Sequence, residues 1–418
     1  MESISPDELA LELLNQCLRG NSYSSELLEM LLRYALSADR AQARHASHAL
    51  FGIVVERLGD LFEPCLVDCY ASLFSETIAY ALPDLRAVDL MERYRRVRLP
   101  RRFAGPDPRR VFVLSRVTLG ADIAVTSVAL NAAKQRFPDA EIVFVGPEKN
   151  YELFAADARI GHMATPYRRE GLLRERLSIF PALSQILSAP GSIVIDPDSR
   201  LTQLGLLPVC PEEQYYFFES RSYGEYGADT ITSLAGQWLA ATFGLSSRPR
   251  AFLAARGDAG RADATVSLGV GENPAKRVGD HFEREAIGLL SSKAGSVLVD
   301  RGGSEEESAR VDRAVAGFGN VSTWTGAFAP FAASISHSDF YLGYDSAGQH
   351  VAAASGVPLV VVFSGHASSR FLARWKPDSA AGSHVIVVEQ DSKEDIVQRV
   401  AAAVDAIVWQ ARAAGRQP

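Results

Sequence analysis

The stretch from Tyr341 to Pro358, YLGYDSAGQHVAAASGVP, decides the fold and points towards the function. It predicts an apolar strand that ends at Gly343, a helix rich in small residues, and a second strand from Leu359. A helix that begins where a strand ends directs its N–H groups and its positive end at one point, which suits an anion. Polar and small residues occupy that point: Asp345, Ser346, Gly348 and His350. Asp345 and Ser346 can cap the helix or hold sugar hydroxyls.

Strands and helices alternate on both sides of this stretch, from about residue 110 onwards, which predicts parallel sheets. Leu245–Asp263 is rich in arginine, glycine and alanine and separates two similar halves. The predicted strands of the first half are Val111–Ser115, Glu141–Gly146, Ser192–Asp196 and Gln214–Ser220. Those of the second half include Ala264–Val270, Ser296–Asp300 and His384–Glu389, and the last helix covers Lys393–Ala414.

The first hundred residues read as helices only. Ser5 to Glu8 form a capping box with proline at the first helical position, and further helical patterns follow. They cover Ser24–Leu36, Arg40–Leu58, Pro64–Ala81 and Leu85–Arg95. We expect this segment to pack on the first α/β half, to self-associate or to bind a partner. Just after it, Arg93–Arg110 holds eight arginines, which form either a solvated linker or an anion-binding patch.

Composition limits the classes of function. The net charge of −7 argues against nucleic acid as a partner, and 47% hydrophobic with 22% charged residues is typical of a globular protein. No apolar run approaches the roughly 18–20 residues of a membrane span. The start of the chain lacks the basic residues of a signal peptide, so we expect a cytoplasmic protein. The four cysteines show no metal-binding spacing.

The Tyr341–Pro358 stretch resembles the nucleotide-sugar signature of glycosyltransferase family 9, the ADP-heptose–lipopolysaccharide heptosyltransferases. The Asp-to-His spacing and the Gly356–Val357–Pro358 ending fit, while the glycine lies one place late, with Ala347 in its usual position. The resemblance implies the GT-B fold, in which two Rossmann-like domains face a cleft. We therefore expect an α/β protein with an all-α N-terminal domain at 1–102, an acceptor domain at 103–255 and a donor domain at 256–418.

Other segments of the second half resemble the donor site of the family. SLGVGENPAKR, Ser267–Arg277, aligns with the donor-phosphate loop, where Lys276 would stabilise the leaving diphosphate. VLVDRGGSEEE resembles a strand followed by a ribose-binding glutamate, and STWTGAF a loop that contacts the base. The resemblance implies donor-binding residues Gly269, Gly271, Asn273, Lys276, Glu306, Gly326, Asp345, Ser346, Ala347, Gly348 and His350.

The first half resembles the acceptor side of the family, including Phe137–Ala140 before the second strand. In the family an aspartate after the first strand is the proposed base, and Asp122 would be its counterpart here, although Ala121 separates it from Gly120. The alternative is that Asp122 only caps the helix at Ile123. SIVIDPDSR resembles a second acceptor loop or is a simple turn. The implied acceptor residues are Gly120, Asp196, Asp198 and Arg200.

The resemblance implies an inverting, metal-independent glycosyltransferase that moves a heptose or related sugar from an ADP-linked donor to a hydroxyl. It needs no cofactor besides this nucleotide-sugar co-substrate, and Asp122 and Lys276 are its catalytic candidates. The acceptor is a glycan, a lipid-linked sugar or a protein, and the N-terminal helices allow a homo-oligomer or a partner. Two other interpretations remain: a GT-B-type epimerase, and a non-catalytic binder of nucleotide sugars or carbohydrates.

Overall fold

The computed structural model describes residues 4–20, 22–167, 171–271, 273–389 and 393–413. Two separate sheets form its frame, and every pairing within each sheet is parallel. Parallel strands need crossover connections, and helices supply most of them. This confirms the α/β class and the two sheets predicted from the sequence.

The first sheet has five strands in the order β3-β2-β1-β4-β5. Its strands are β1 Arg110–Leu114, β2 Glu141–Gly146, β3 Ile160–Ala164, β4 Ser192–Asp196 and β5 Tyr215–Phe217. Residues on β1 alternate between the two faces: Phe112 and Leu114 face one core, while Val111 and Val113 face another. Both faces are buried, which explains why these strands read as continuous apolar runs.

The second sheet has six strands in the order β11-β10-β9-β6-β7-β8. Its strands are β6 Ala264–Ser267, β7 Val297–Asp300, β8 Val321–Trp324, β9 Phe340–Tyr344, β10 Leu359–Ser364 and β11 Ser383–Val388. The central strand β9 pairs with β10 and β6, so the signature stretch lies in the middle of this sheet. Ligands of open parallel sheets bind outside the carboxyl ends of such strands.

Helices cover the chain between these strands. The N-terminal ones are α1 Pro6–Gly20, α2 Ser25–Ala35, α3 Arg40–His48, α4 Glu56–Asp60, α5 Pro64–Ala81 and α6 Ala87–Val97. Those of the first half are α7 Leu119–Ala121, α8 Ser127–Arg136, α9 Glu148–Tyr151, α10 Leu173–Leu177, α11 Phe180–Leu187 and α12 Ile231–Phe243. Those of the second are α13 Asp280–Lys293, α14 Glu305–Val315, α15 Phe328–Ser336, α16 Ala347–Ser355, α17 Ser369–Trp375 and α18 Lys393–Ala413.

Two stretches have wider, π-helical turns, Ala49–Val55 between α3 and α4, and Asp122–Thr126 between α7 and α8. The sequence pattern predicted one continuous helix from Arg40 to Leu58, whereas the structure divides this stretch into α3, a π-helical stretch and α4. Such turns occur frequently at functional sites. Both of these lie close to the cavity described below.

The N-terminal segment is helical, but the structure does not confirm it as a separate domain. One apolar core contains Leu13 of α1, Leu31 of α2 and Phe74 of α5 together with Leu114 and Val194 of the first sheet. Tyr94 of α6 packs on Phe217 of β5, with 6.0 Å between the ring centroids. The helices therefore form the layer that buries one face of this sheet.

Arg93 of α6 and Arg101, which follows that helix, join this layer to the sheet. Arg93 is buried, donates to the carbonyl of Gly205 at 2.9 Å and lies 4.7 Å from the ring centroid of Tyr215. Arg101 donates to the carbonyls of Glu212 and Tyr215 at 2.6 and 3.0 Å. In this structure, then, these two arginines bind main-chain carbonyls and stack on aromatic rings.

A second core joins the two halves. It contains Val113 and Ile195 from the first sheet with Tyr341, Val351 and Leu359 from the second half. A third core fills the outer face of the second sheet and includes Val400 and Val404 of α18. The final helix thus packs on its own half, mainly on α13.

Hydrogen bonds from α17 reach the first half and the N-terminal helices. Arg370 donates to the carbonyl of Phe62 at 2.7 Å, and Arg374 donates to the carbonyls of Asp229 and Glu225 at 2.8 and 3.0 Å. These bonds tie the second half to both the N-terminal helices and the first half. Among the described residues, no helix combines the length and the apolar character that crossing a membrane requires.

Candidate functional site

The carboxyl end of β9 runs directly into α16, as the signature stretch predicted. Ser346 is the N-cap residue with extended backbone, and Ala347 begins the helix. A Cβ atom on Gly348 would lie 2.2 Å from the hydroxyl of Tyr341 on β9, so only glycine lets this helix pack so closely on its strand. The free N–H groups of α16 consequently lie at the carboxyl end of β9.

A lysine and a carboxylate meet at this helix start. Lys276 Nζ lies 2.6 Å from Asp345 Oδ2 and 3.3 Å from the carbonyl oxygen of Asp345. Gln349 donates to the other oxygen of Asp345 at 2.6 Å. Asp345 is only 6% exposed. Its negative charge is balanced by Lys276, and it accepts a hydrogen bond from the amide of Gln349. The structure brings together two residues that are 69 positions apart and that the sequence assigned to one diphosphate site.

Asn273 and the two nearby glycines shape the loop that carries the lysine. Asn273 accepts from the N–H of Ala275 at 3.0 Å and caps the short turn Pro274–Lys276. Gly271 has φ of +60°, a conformation that glycine adopts without strain. A Cβ atom on Gly269 would lie 3.8 Å from Glu307 Oε1, an ordinary contact. The loop therefore sets the position of Lys276, and it comes near the glutamate discussed next.

The acidic run Glu305–Glu307 places its residues differently from the sequence assignment. Glu306 is exposed at the surface of α14. Glu307 instead turns back to the loop after β7, where its Oε2 accepts from the N–H of Gly303 at 3.1 Å. Glu307 is therefore the carboxylate that lies near both the loop of Gly269 and the loop after β7. In the sequence, only the periodicity of the helix could have indicated which of the two neighbours, Glu306 or Glu307, faces these loops.

Gly326 follows β8, as the proposed base-contacting loop requires. Its φ is +156°, and a Cβ atom there would lie 2.8 Å from Cζ2 of Trp324. Trp324 Nε1 donates to the carbonyl of Ala327 at 3.0 Å and so closes the loop over this glycine. The main chain at Gly326 is accordingly open on one side, but its contact with a base stays a prediction.

His350 lies where the two halves touch. It is 6% exposed, and its ring centroid is 5.7 Å from that of Trp375. A Cβ atom on Gly120, in the loop after β1, would lie 3.2 Å from His350 Cδ2 and 3.3 Å from Ala347 Cα. Glycine at position 120 thus allows the loop of the first half to touch the start of α16. Burial lowers the pKa of His350 to about 4, against the opposing effect of Asp345.

The depressed pKa of His350 predicts a loss of stability in acid. The ordinary pKa of 6.5 applies to the unfolded chain, which therefore binds the proton first as the pH falls from 6.5 towards 4. Across this window His350→Gln should lose less stability than the parent protein, by up to about 3 kcal/mol. Urea unfolding at pH 7.5 and 4.5 measures the difference. His337→Gln, at an exposed position, is the control, and equal pH dependence of all three proteins would contradict the assignment.

Asp122 is fully buried and surrounded by donors. Its carboxylate accepts from Ser115 Oγ, the N–H of Arg116, Thr126 Oγ1 and Asn150 Nδ2, each at 2.6 Å. Burial raises its pKa, while these four bonds act to lower it. The helix begins at Leu119, so Asp122 lies inside its first turns and does not cap it at Ile123. From this position the carboxylate fixes the loop after β1, and its role as a base stays a prediction.

Asp196 at the end of β4 has a similar role in the next loop. It accepts from the N–H of Ser199 and from Thr202 Oγ1 at 2.6 Å, and from the Tyr215 hydroxyl at 2.5 Å. Burial raises its pKa to about 6. The carboxylate is fully covered, so it holds the turn that presents the following residues.

Asp198 and Arg200, by contrast, line a cavity of about 100 Å³ between the first half and its neighbours. Asp198 Oδ2 accepts from Ser220 Oγ at 2.6 Å and lies 3.5 Å from Arg221 Nε. Its second oxygen has no hydrogen-bond partner among the described residues. Arg200 lies 3.6 Å from Glu56 of α4. Of the sequence-predicted acceptor residues, these two are the ones that border open space.

The cavity lies next to α16 of the second half, through Trp375. Trp375 of α17 lines it and also packs on His350, while the guanidinium of Arg116 lies 5.9 Å from the Trp375 ring centroid. Four lining residues other than glycine have positive φ: Phe62, Asp198, Gln203 and Leu204. Each such residue costs about 1–3 kcal/mol and is most often found at functional sites. The sequence pattern carried no signal for Arg116, Trp375 or this strained backbone.

The cysteines and the acidic side chains form no cluster of three that could hold a metal ion within the described ranges. Cys17, Cys69 and Cys210 are buried free thiols, and Cys65 is exposed.

Solved structures with the same arrangement of two sheets are known. The E. coli heptosyltransferase WaaC with ADP is 17% identical, with 72% of this chain and 99% of that chain covered at a TM-score of 0.53. E. coli ADP-heptose lipopolysaccharide heptosyltransferase II gives the same four values. A family 9 glycosyltransferase from Veillonella parvula is 16% identical, with 73% and 99% covered at a TM-score of 0.54.

This chain has the GT-B fold. The likeness to these structures establishes the architecture, and at 16–17% identity it establishes no more than that. No protein-family model and no curated protein matches the sequence. The matches cover about three quarters of this chain and nearly all of those shorter chains. About a quarter of this chain therefore has no counterpart in them.

Proposed function

We propose that the protein is an inverting, metal-independent glycosyltransferase that uses a nucleoside-diphosphate sugar, with an ADP-linked heptose or a related sugar as donor. The single observation that supports it most is the meeting of Lys276, Asp345 and the start of α16 at the carboxyl end of β9, in contact with the loop after β1. WaaC, which has the same fold, was solved with ADP and with an ADP-linked fluoroheptose.

The donor end carries the groups that a departing diphosphate requires. The ammonium of Lys276 and the N–H groups of α16 supply positive charge at one point, where negative charge grows as the sugar leaves. Asp345 holds this lysine at 2.6 Å beside the start of α16, so this ion pair orients the ammonium group. These two sources of charge are what we propose in place of a metal ion.

The acceptor end supplies the base. We propose Asp198 for this role instead of Asp122, because Asp198 lines the cavity and has one oxygen without a partner among the described residues. Ser220 and Arg221 fix the other oxygen, so the free one is oriented. Asp122 would then position the loop after β1, in which Gly120 and Arg116 lie.

Replacement of Lys276 tests the donor site. Lys276→Ala should weaken ADP binding by about 1.5–3 kcal/mol, the range for a hydrogen bond to a charged group. Isothermal calorimetry measures it. Lys293→Ala is the matched control, because Lys293 also pairs with an aspartate in the second half, Asp405, but lies on α13. Equal ADP affinity in both variants and the parent protein would contradict the assignment.

Turnover separates this proposal from its two alternatives. Incubation with ADP-heptose in the presence and absence of EDTA should give slow release of ADP that the chelator does not affect. An epimerase would change the sugar and release no ADP by transfer. A non-catalytic binder would bind the nucleotide sugar and leave it intact, and loss of turnover with EDTA would contradict the metal-independent mechanism.

A further inference from the structure

The loop that carries Lys276 runs from the end of β6 to the start of α13, and one buried carboxylate lies between its two ends. This carboxylate belongs to Glu283, a fully buried residue in the first turn of α13. We propose that Glu283 is a positioning residue of the donor site, which fixes both ends of this loop and so holds Lys276 where the diphosphate binds. The inference rests on the function proposed above and adds the residue that sets the position of its cation.

The end of the loop next to α13 is bonded to Glu283 by an ion pair. Arg277, the residue directly after Lys276, donates from Nε to Glu283 Oε1 at 2.9 Å and from Nη2 to Asp280 at 2.5 Å. Burial acts to lower the pKa of Arg277, but these two bonds raise it above its ordinary value. Hydrogen bonds between charged groups are stronger than neutral ones. The neighbour of Lys276 is therefore firmly fixed.

The end of the loop next to β6 is reached through Arg310 of α14, which is also buried. Arg310 Nη2 donates to the carbonyl of Leu268 at 2.9 Å, and its Nε lies 3.6 Å from Glu283 Oε2. Among the described residues, neither that Nε nor that Oε2 has a hydrogen-bond partner. A buried cation and a buried anion are each costly without an opposite charge, so Glu283 and Arg310 stabilise one another here.

Tyr344, the last residue of β9, connects the same carboxylate to the signature stretch. Its hydroxyl donates to Glu283 Oε1 at 3.2 Å and accepts from the N–H of Val278 at 3.2 Å. The next residue is Asp345, whose carboxylate lies 2.6 Å from Lys276 Nζ. The side chain of Lys276 is thus held by the residue after Tyr344, and the chain that follows Lys276 is held by groups that meet at Glu283.

Packing of apolar side chains does little to fix this loop, because residues 273–275 are exposed. One further bond, from Ser364 Oγ to the carbonyl of Ala275 at 3.2 Å, reaches this part. A buried carboxylate between two arginines stabilises a protein no better than apolar residues of similar volume. What it supplies is a set of directed bonds at the two ends of the loop, and these determine where Lys276 lies.

A double-mutant cycle on the full-length protein tests the inference, with ADP as the ligand. Glu283→Gln keeps the size of the side chain and removes its charge, and the folded variant should bind ADP about tenfold more weakly than the parent, as loss of a charged hydrogen bond implies. Loss of a negative charge would by itself favour an anionic ligand, so weaker binding reports a displaced lysine. In the Lys276→Ala background Glu283→Gln should have no further effect, because the lysine through which it acts is absent.

Isothermal calorimetry measures the four ADP affinities of the cycle. Equal ADP affinity of a folded Glu283→Gln protein and the parent overturns the proposal. The same tenfold loss in both backgrounds also overturns it, since Glu283 would then act on ADP without Lys276.

Tyr344→Phe provides the test if Glu283→Gln does not fold. It removes only the hydroxyl and leaves the carboxylate and both arginines in place, so ADP affinity should fall about threefold in the parent and not in the Lys276→Ala background. Tyr151→Phe is the matched control, because the Tyr151 hydroxyl also bonds to main chain, the carbonyl of Ile160 at 3.2 Å, but in the first half. A folded Tyr344→Phe protein that binds ADP as Tyr151→Phe does would then overturn the proposal.

The free energy of unfolding, measured with urea on the same samples, separates positioning from stability alone. A purely structural role of Glu283 would lower this free energy equally in both backgrounds and leave the ADP affinity of the folded protein unchanged. A parent protein that does not bind ADP, or a Lys276→Ala variant that binds it normally, refutes the donor site and the role of Glu283 with it. If Lys276→Ala weakens ADP binding as expected but the cycle fails, only the role of Glu283 is refuted.

Discussion

Removal of residues 1–102 is expected to leave the rest of the chain insoluble or only partly folded. The N-terminal helices and one face of the first sheet share a single apolar core, so truncation exposes Phe112, Leu114, Val143 and Val194 to water. Exposed apolar surface of this extent causes association. Size-exclusion chromatography and limited proteolysis of the truncated protein measure the outcome, and co-expression of residues 1–102 as a separate chain should restore solubility.

A single substitution tests the same interface more gently. Tyr94→Ala removes a buried ring that packs on Phe217 and a hydroxyl that accepts from Arg221 at 3.0 Å. Large-to-small changes of this kind lower the free energy of unfolding by about 3–5 kcal/mol. Tyr226→Ala is the control, because Tyr226 is 68% exposed.

A truncated protein that stays soluble, folded and able to bind ADP would show that the helices are an independent appendage.

The sequence indicated these helices correctly but not their relation to the sheet. The capping box at Ser5 and the repeating apolar positions are local features, and Pro64–Ala81 has the predicted bounds. That Phe112 and Leu114 face the helices while Val111 and Val113 face α8 and α12 depends on tertiary packing. A strand buried on both faces is apolar throughout, so its pattern does not show what covers either face.

The central strands and the edge strands β5 and β11 were predictable, but the edge strands β3 and β8 were not. β2 and β4, which flank the central strand β1, have the predicted bounds because each is a continuous apolar run. β3 and β8 lie at sheet edges, and their residues Ile160–Ala164 and Val321–Trp324 are only partly apolar. These two edge strands bury few of their residues, so their sequences carry a weaker signal. The sequence interpretation left both out for this reason.

The sequence assigned residues to a single donor site, but it could not show which carboxylate of the first half lines the cavity. Lys276 and Asp345 were both assigned to it, and the structure places them 2.6 Å apart. Spacing along the chain could not distinguish Asp122 and Asp196, whose oxygens are filled by internal donors, from Asp198, which borders the cavity. The difference arises from backbone conformation: Asp198 has φ of +68°, within the turn that Asp196 holds.

Replacement of Asp198 should separate the two candidate bases. Asp198→Asn keeps the shape of the side chain but cannot accept the proton of an acceptor hydroxyl, so transfer should fall by about a hundredfold to ten-thousandfold. ADP affinity should stay unchanged, because Asp198 belongs to the first half. Transfer of sugar to the acceptor and binding of ADP are measured on the same preparation.

Asp122→Asn is the matched comparison, since it makes the same chemical change at a buried carboxylate of the neighbouring loop. Its new amide would face donors such as Ser115 Oγ and Asn150 Nδ2, so unfolding free energy should fall by about 1–3 kcal/mol. Below its unfolding temperature the variant should still transfer sugar at close to the rate of the parent, since Asp198 remains. If Asp198→Asn transfers sugar normally while a folded, ADP-binding Asp122→Asn does not, Asp122 is the base after all. In that case the loop after β1 must open to bring this carboxylate out to the acceptor.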